Sequence, residues 1–109
     1  MKKRIPALLT AALLILSLAA CGGPKAKTYS VGIIQIAQHP ALDAATEGFR
    51  DALTEKLGDK VTFDEQNASG DPHNCSVIAN QFVSSNVDLI MANATPSLQA
   101  AQAATNKIP

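Results

Sequence analysis

"VGIIQIAQHPALDAATEGFRDALTEKLG", residues 31–58, holds the pattern that decides the fold. Its first six residues, Val31 to Ile36, are apolar at nearly every position, which is typical of a parallel strand covered on both faces. After Pro40, apolar residues recur every three or four positions, at Leu42, Ala45, Phe49, Leu53 and Leu57. This spacing predicts a helix that ends at Gly58, a residue type common at helix C-termini.

Two more strand-to-helix units follow. The alternating "VTFDEQ" (61–66) predicts a strand nearer the sheet edge, and a helix over 72–85 should bury Cys75, Ile78, Ala79 and Phe82. The third unit is the strand "VDLIMA" (87–92) with a helix over 96–106. Strands alternating with helices indicate an α/β fold: a parallel, Rossmann-like or flavodoxin-like sheet with helices on both faces. "KIP" (107–109) is expected to approach a fourth strand that the chain does not contain.

Each predicted helix begins with a residue followed by proline: His39-Pro40, Asp71-Pro72 and Thr95-Pro96. Proline suits the first helical turn, and Asp71 and Thr95 are residue types favoured as N-caps. These three joints follow the carboxyl ends of the strands, the edge at which open α/β sheets bind ligands. Two interpretations stay open here. The joints either serve only to start the helices, or they also form one side of a binding site.

The side chains near the joints are mostly amides and hydroxyls, at Gln35, Gln38, Gln66, Asn67, Ser69, Asn74, Asn93, Thr95 and Ser97. Such groups both donate and accept hydrogen bonds without net charge. This inventory favours a small polar or zwitterionic ligand over a phosphorylated one. No glycine lies between Gln35 and Pro40, which argues against a dinucleotide-binding loop or a P-loop.

The sequence offers no catalytic set, metal site or cofactor motif. His73 and Cys75 are two residues apart, so on a helix they point away from each other and cannot form a local metal pair. His39 has no nucleophile or paired carboxylate near it in sequence. We therefore expect a binding protein rather than an enzyme.

The first 21 residues resemble a bacterial lipoprotein signal. Lys2, Lys3 and Arg4 precede a 16-residue apolar stretch, and Leu18-Ala19-Ala20-Cys21 closes it. The stretch is shorter than the roughly 20 residues of a membrane-spanning helix. We expect a signal peptide at 1–20, a lipidated tether at 21–28 with lipid on Cys21, and a folded region at 29–109. The alternative is an uncleaved signal anchor.

The net charge of the whole chain is zero, a value that includes the basic residues of the predicted signal peptide. From Cys21 onward there are six Lys and Arg residues and nine Asp and Glu residues, a net charge of −3. With no basic stripe and few aromatic residues, nucleic acid is not an expected partner.

"VGIIQIAQHPALDAATEGFRDAL" and "QNASGDPHNCSVIANQFVSSNVDLIMANATPSLQAA" are similar to the ABC-importer substrate-binding lipoproteins of the tryptophan or aromatic amino-acid type. The resemblance covers residues 29–109 and implies that they are part of the N-terminal lobe of the two-lobed class I periplasmic-binding-protein fold. It also implies a ligand held at the strand ends between the lobes. The residues it assigns to ligand binding are His39, Asp43, Gln66, Asn67, Thr95, Pro96 and Ser97. Asp43 is expected to meet an ammonium group, and the amides of Ser97 and Leu98 a carboxylate.

The resemblance implies that the intact protein captures an amino acid, such as tryptophan or phenylalanine, outside the cytoplasm. It would then deliver the amino acid to an ABC permease in the membrane. A sugar or another polar solute is the alternative ligand. An alternative from a different functional class is a lipid-anchored flavodoxin-like sensor or enzyme domain. Because half of the cleft is missing, the 109-residue chain alone is not expected to bind its ligand tightly.

Overall fold

The structure is a computed structural model that describes residues 22–109. The predicted leader (1–20) and lipid attachment site, Cys21, lie outside the described residues. Three strands alternate with three helices: β1 (Tyr29–Gln35), α1 (Pro40–Leu57), β2 (Val61–Asn67), α2 (Pro72–Ser84), β3 (Leu89–Asn93) and α3 (Thr95–Ala104). A short 3-10 turn, Gly58–Lys60, joins α1 to β2.

The three strands form one parallel sheet in the order β2-β1-β3. The central strand is β1, whose last five residues, 31–35, are all buried. This burial explains why residues 31–36 are almost all apolar. The parallel pairing of the three strands confirms the predicted α/β fold with a parallel sheet.

Helices cover both faces of the sheet, as predicted. On one face, Val31 and Ile33 of β1 and Val61 of β2 pack against Phe49 and Leu53 of α1. On the other face, a second core cluster combines β1, α2 and α3; its main members are Ile34, Cys75, Ile78, Ala79, Phe82, Ala100 and Ala101. Alternate residues of β1 therefore belong to the two apolar layers.

At Gly32, strand β1 lies directly against the Phe82 ring of α2. A Cβ atom at residue 32 would lie well inside contact distance of the Phe82 ring, and Phe82 itself is completely buried. The missing side chain at residue 32 therefore lets the aromatic ring lie against the strand.

The predicted apolar face of α1 is wrong at Ala45, which is exposed. The buried residue at this level of the helix is its neighbour Thr46. The apolar core ends below the first turns of α1, and the polar ends of β1 and β3 meet Thr46 there through hydrogen bonds. Phe49, Leu53 and Leu57 pack against the sheet as predicted, whereas Leu42 is half-buried and belongs to neither core cluster.

Two predicted boundaries at the third unit shift. The strand β3 begins at Leu89 rather than Val87, because Asp88 instead bonds Ser30 through both its backbone N–H and its carboxylate. The N-cap of α3 is Ala94 and not Thr95, which is already the first helical residue and makes no side-chain cap. Ala94 has a φ of 86°, a value that places its backbone in the region where L-residues are uncommon.

The end of the chain lies beside the outer edge of β3. The N–H of Ile90 donates to the carbonyl oxygen of Pro109 at 2.9 Å. This contact pairs one backbone donor at the outer edge of β3.

Candidate ligand-binding edge

Because all three strands are parallel, their C-terminal ends meet at one side of the sheet, here called the carboxyl edge. Three amide residues form a row across it. Gln35 of β1 is paired with Asn67 of β2 on one side and with Asn93 of β3 on the other. The predicted convergence of the three strand-to-helix joints at one edge therefore follows from the register of the sheet.

The strand order creates a crevice at this edge. From β1 the chain crosses through α1 to β2, whereas β3 lies on the opposite side of β1. Neighbouring strands whose connections leave in opposite directions define a topological switch point, where ligands of open α/β sheets bind. In this chain the switch point lies between Gln35 and Asn93.

A network of buried, hydrogen-bonded polar side chains lies beneath the switch point. The hydroxyl of Thr46 donates to Gln35 Oε1 at 2.7 Å, and Asn93 Nδ2 donates to Thr46 Oγ1 at 3.0 Å. Asn93 Nδ2 also donates to the carbonyl oxygen of Leu42 at 2.9 Å. All three side chains are at least 93% buried, with Gln35 and Thr46 3% exposed and Asn93 7% exposed. Buried amides and hydroxyls that are fully paired hold a fixed geometry.

Asp43 lies above this network, in the first turns of α1. Its Oδ1 accepts a hydrogen bond from Gln35 Nε2 at 2.6 Å, and Gln35 Nε2 also donates to the carbonyl oxygen of Ala37. Within residues 22–109, Asp43 Oδ2 accepts no hydrogen bond, and the residue is exposed. Asp43 thus offers a carboxylate that is held on one oxygen and accessible on the other.

His39 is the N-cap of α1, and its Nδ1 accepts from the N–H of Ala41 at 3.2 Å. His39 is exposed, and within residues 22–109 its Nε2 makes no hydrogen bond. His39 and Asp43 are also adjacent through the backbone, since Asp43 N donates to His39 O at 2.8 Å. The two predicted site residues of the first joint therefore lie side by side.

The second joint is tied to the first through its backbone. The N–H of Ala68 donates to Gln35 O, and the N–H of Gly70 donates to Ile36 O. Asn67 closes the loop by accepting from the N–H of Ser69 at 2.8 Å. Gln66 instead donates to Asp64 on its own strand at 2.6 Å, so the structure does not join its side chain to the Gln35 network.

At the third joint, the groups available for hydrogen bonding are backbone amides more than side chains. Ser97 is fully buried, and its hydroxyl lies 3.7 Å from the thiol of Cys75. Of the two amides expected to receive a carboxylate, that of Leu98 is already bonded to Ala94 O at 3.1 Å. The first-turn amides of Thr95 and Ser97 have no intrahelical partner, and Pro96 has no N–H.

Thr46 is the residue of this edge that sequence reasoning missed, and Gln35 and Asn93 were recognised only as nearby amides. The available signal was helical spacing. Thr46 lies four residues after Leu42 and three before Phe49, so it occupies the apolar stripe of α1. A threonine on an apolar stripe needs a hydrogen-bond partner inside the fold.

Other features of the described chain lie away from this edge. A cavity of about 210 Å³ lies beside the outer edge of β3, and of the residues predicted to meet the ligand only Leu98 lines it. Its lining consists of Ile90, Ala92, Leu98, Ala101, Gln102, Thr105, Ile108 and Pro109. Residues 22–109 hold no group of three His, Cys, Asp or Glu side chains arranged to bind a metal ion. None of the helices in this range has the length and hydropathy needed to span a membrane.

Comparison with known proteins identifies relatives over nearly all of the described residues. A model of the family described as "ABC transporter substrate binding protein" matches residues 30–109. A tyrosine-binding protein of Clostridioides difficile (strain R20291) is 46% identical over 86 residues, which are 76% of this chain and 25% of that protein. This chain therefore spans about a quarter of the length of that relative.

Several solved structures are similar in both fold and sequence. One is a ligand-free, open structure of a substrate binding protein with adhesive properties from Clostridium difficile, with a TM-score of 0.72, 44% identity and coverage of 75% of this chain and 29% of that one. Another is an ABC domain in complex with L-Trp from Streptococcus pneumonia, with a TM-score of 0.71, 32% identity and coverage of 76% and 29%.

Proposed function

Since the chain belongs to the ABC transporter substrate binding protein family, whose model matches residues 30–109, we propose that the full-length protein captures an aromatic amino acid and delivers it to an ABC permease. Substrate-binding proteins of ABC transporters act outside the cytoplasm, and they bind solutes rather than transform them. The proposal therefore assigns no catalytic role to any residue of this chain.

The observation that supports an amino-acid ligand best is the arrangement of opposite polarities across the switch point. On one side is the Asp43 carboxylate, and on the other is the first turn of α3, with its unpaired amides and the positive end of its dipole. A zwitterion has one group for each side. The names of two relatives agree with this assignment, one as a tyrosine-binding protein and the other as a complex with L-Trp.

We assign the predicted site residues to this ligand as follows. Asp43 receives the ammonium group through Oδ2, and the Thr95 and Ser97 amides receive the carboxylate, with Pro96 fixing the turn. His39 Nε2 and Asn67 Nδ2 provide further hydrogen bonds at the first and second joints. Gln66 would exchange its bond to Asp64 for one to the ligand.

We further propose that the protein is a lipoprotein. The motif Leu18-Ala19-Ala20-Cys21 supports cleavage before Cys21 and attachment of lipid to its sulfur. Residues 22–28 are exposed and form no helix or strand, so they suit a tether between the lipid and β1. The protein would then be held at the membrane surface, near its permease, on the periplasmic or outer side.

Calorimetric titration of the full-length protein with tryptophan, tyrosine and phenylalanine tests the proposed function. We expect saturable 1:1 binding of at least one of them and at least tenfold weaker binding to an Asp43→Asn variant. Asp51→Asn is the matched control, because Asp51 is an exposed residue of the same helix outside the switch point. If none of the three amino acids binds while a sugar does, the ligand class is wrong.

A further inference from the structure

The buried side chains beneath Asp43 form a chain of hydrogen bonds with one direction. Asn93 Nδ2 donates to Thr46 Oγ1, Thr46 donates to Gln35 Oε1, and Gln35 Nε2 donates to Asp43 Oδ1. Asp43 is the only charged member, and it stands at the accepting end of the series.

The chemistry of the groups fixes this direction. An ionised carboxylate can only accept hydrogen bonds, so Gln35 must turn its NH₂ group toward Asp43 and its oxygen toward Thr46. The Thr46 hydroxyl has a single proton, which it donates to Gln35 Oε1. It can therefore only accept a hydrogen bond from Asn93. Each hydrogen bond thereby selects the orientation of the next.

The series also joins the two sides of the switch point. Gln35 is the last residue of β1, Thr46 belongs to α1, and Asn93 is the last residue of β3. Asn93 directly precedes Ala94, the residue whose φ of 86° directs the chain into α3. The series therefore runs from the residue that precedes the N-cap of α3 to the carboxylate of Asp43.

We propose that Gln35, Thr46 and Asn93 are positioning residues that preset the Asp43 carboxylate for the ligand's ammonium group before the ligand arrives. This inference rests on the proposed function for the identity of the ligand, but its structural claim concerns the ligand-free protein. The network leaves Oδ2 as the accessible oxygen, and a carboxylate that is already oriented loses less conformational entropy on binding.

The substitution Thr46→Val tests the inference because it removes the hydroxyl and nearly preserves the shape. In the full-length protein we expect at least tenfold weaker binding of tryptophan. Binding of 3-(indol-3-yl)propanoate, which is tryptophan without its amino group, should change less than threefold. Thr46→Ser keeps the hydroxyl and should restore tryptophan binding to within about threefold of wild type. Thr54→Val, the same change at an exposed position of α1, is the matched control.

Equal weakening for both compounds, or unchanged tryptophan binding, would overturn the inference, since the hydroxyl would then act on the fold in general or not at all. Asp43→Asn combined with Thr46→Val provides a second test. If Thr46 acts through Asp43, the double variant should bind tryptophan no more than about threefold worse than Asp43→Asn alone.

Ligand-free crystal structures of the full-length wild type and Thr46→Val separate this inference from the proposed function. We expect the Gln35–Asp43 hydrogen bond in the wild type and its loss in the variant. An Asp43 that stays in place without the hydroxyl contradicts the inference whichever ligand the protein binds. Should Thr46→Val not fold, Thr46→Ala takes its place in the same comparisons.

Discussion

Gln35 and Asn93 are paired across β1 and β3, and both reach the single hydroxyl of Thr46, at 2.7 Å and 3.0 Å. One side chain of α1 thus connects the ends of the two strands that border the proposed ligand site. The connection is buried, and within residues 22–109 no buried side-chain nitrogen or oxygen lacks a partner. Removal of the Thr46 hydroxyl takes away the hydrogen-bond donor to Gln35 Oε1 and one acceptor of Asn93 Nδ2, so changes here should affect both stability and binding.

Thr46→Val should destabilise the full-length protein by about 1–3 kcal/mol, the typical cost of leaving a buried polar group unpaired. The affected groups are Gln35 Oε1 and Asn93 Nδ2, although Asn93 keeps its bond to Leu42 O. Urea unfolding measures the change. A loss as small as that of Thr54→Val would mean that the network contributes nothing to folding.

Gly32→Ala should destabilise the protein by about 1–3 kcal/mol, because the added methyl group meets the Phe82 ring in a filled core. Gly48→Ala is the matched control. Gly48 is a helical residue of α1 with nothing within 4 Å of a new Cβ, so this change should stabilise by about 0.5–1 kcal/mol. Thermal melting of both variants gives the comparison, and a similar effect of the two substitutions would contradict the packing described here.

Asp71→Ala should cost about 0.5–2 kcal/mol, because Asp71 accepts from the N–H of His73 as the N-cap of α2. Thr95→Ala should change the free energy of unfolding by less than about 0.5 kcal/mol, because Thr95 makes no cap. Denaturant titration of both variants measures the difference. Equal losses of unfolding free energy would indicate that Thr95 caps α3, as the sequence predicted.

Cys75 should resist thiol reagents in the folded protein, because it is completely buried between α2 and α3. We expect alkylation by iodoacetamide in urea and none without it over the same time, with the modified peptide located by mass spectrometry. Rapid alkylation under native conditions would show that this core opens.

Cys21→Ser should abolish lipidation, since only the sulfur of a cysteine can take up the diacylglyceryl group. The variant should fail to label with radioactive palmitate in the native host and should leave the membrane fraction. Cys75→Ser provides the control, because Cys75 is buried in the fold and should not affect labelling. Labelling that survives in Cys21→Ser would place the lipid on another residue, and a wild type that does not label would favour the uncleaved signal anchor.

Much of the fold was predictable because its signals are local. The apolar run at 31–36 and the X-Pro joints placed the strands and helices to within two residues at most ends. The strand order was not predictable, because pairing of β1 with β3 depends on contacts between residues far apart in sequence. The role of Thr46 was hidden for the same reason, since its partners lie on two different strands. Thr95 was misplaced because Ala94, with no capping group, occupies the position where a capping residue was expected.

A structure of the full-length protein with a bound aromatic amino acid tests the central claim most directly. The account predicts that the ammonium group lies within hydrogen-bond distance of Asp43 Oδ2 and that the carboxylate faces the first turn of α3. A ligand found away from the carboxyl edge, for example in the cavity between Ile90 and Leu98, would contradict it.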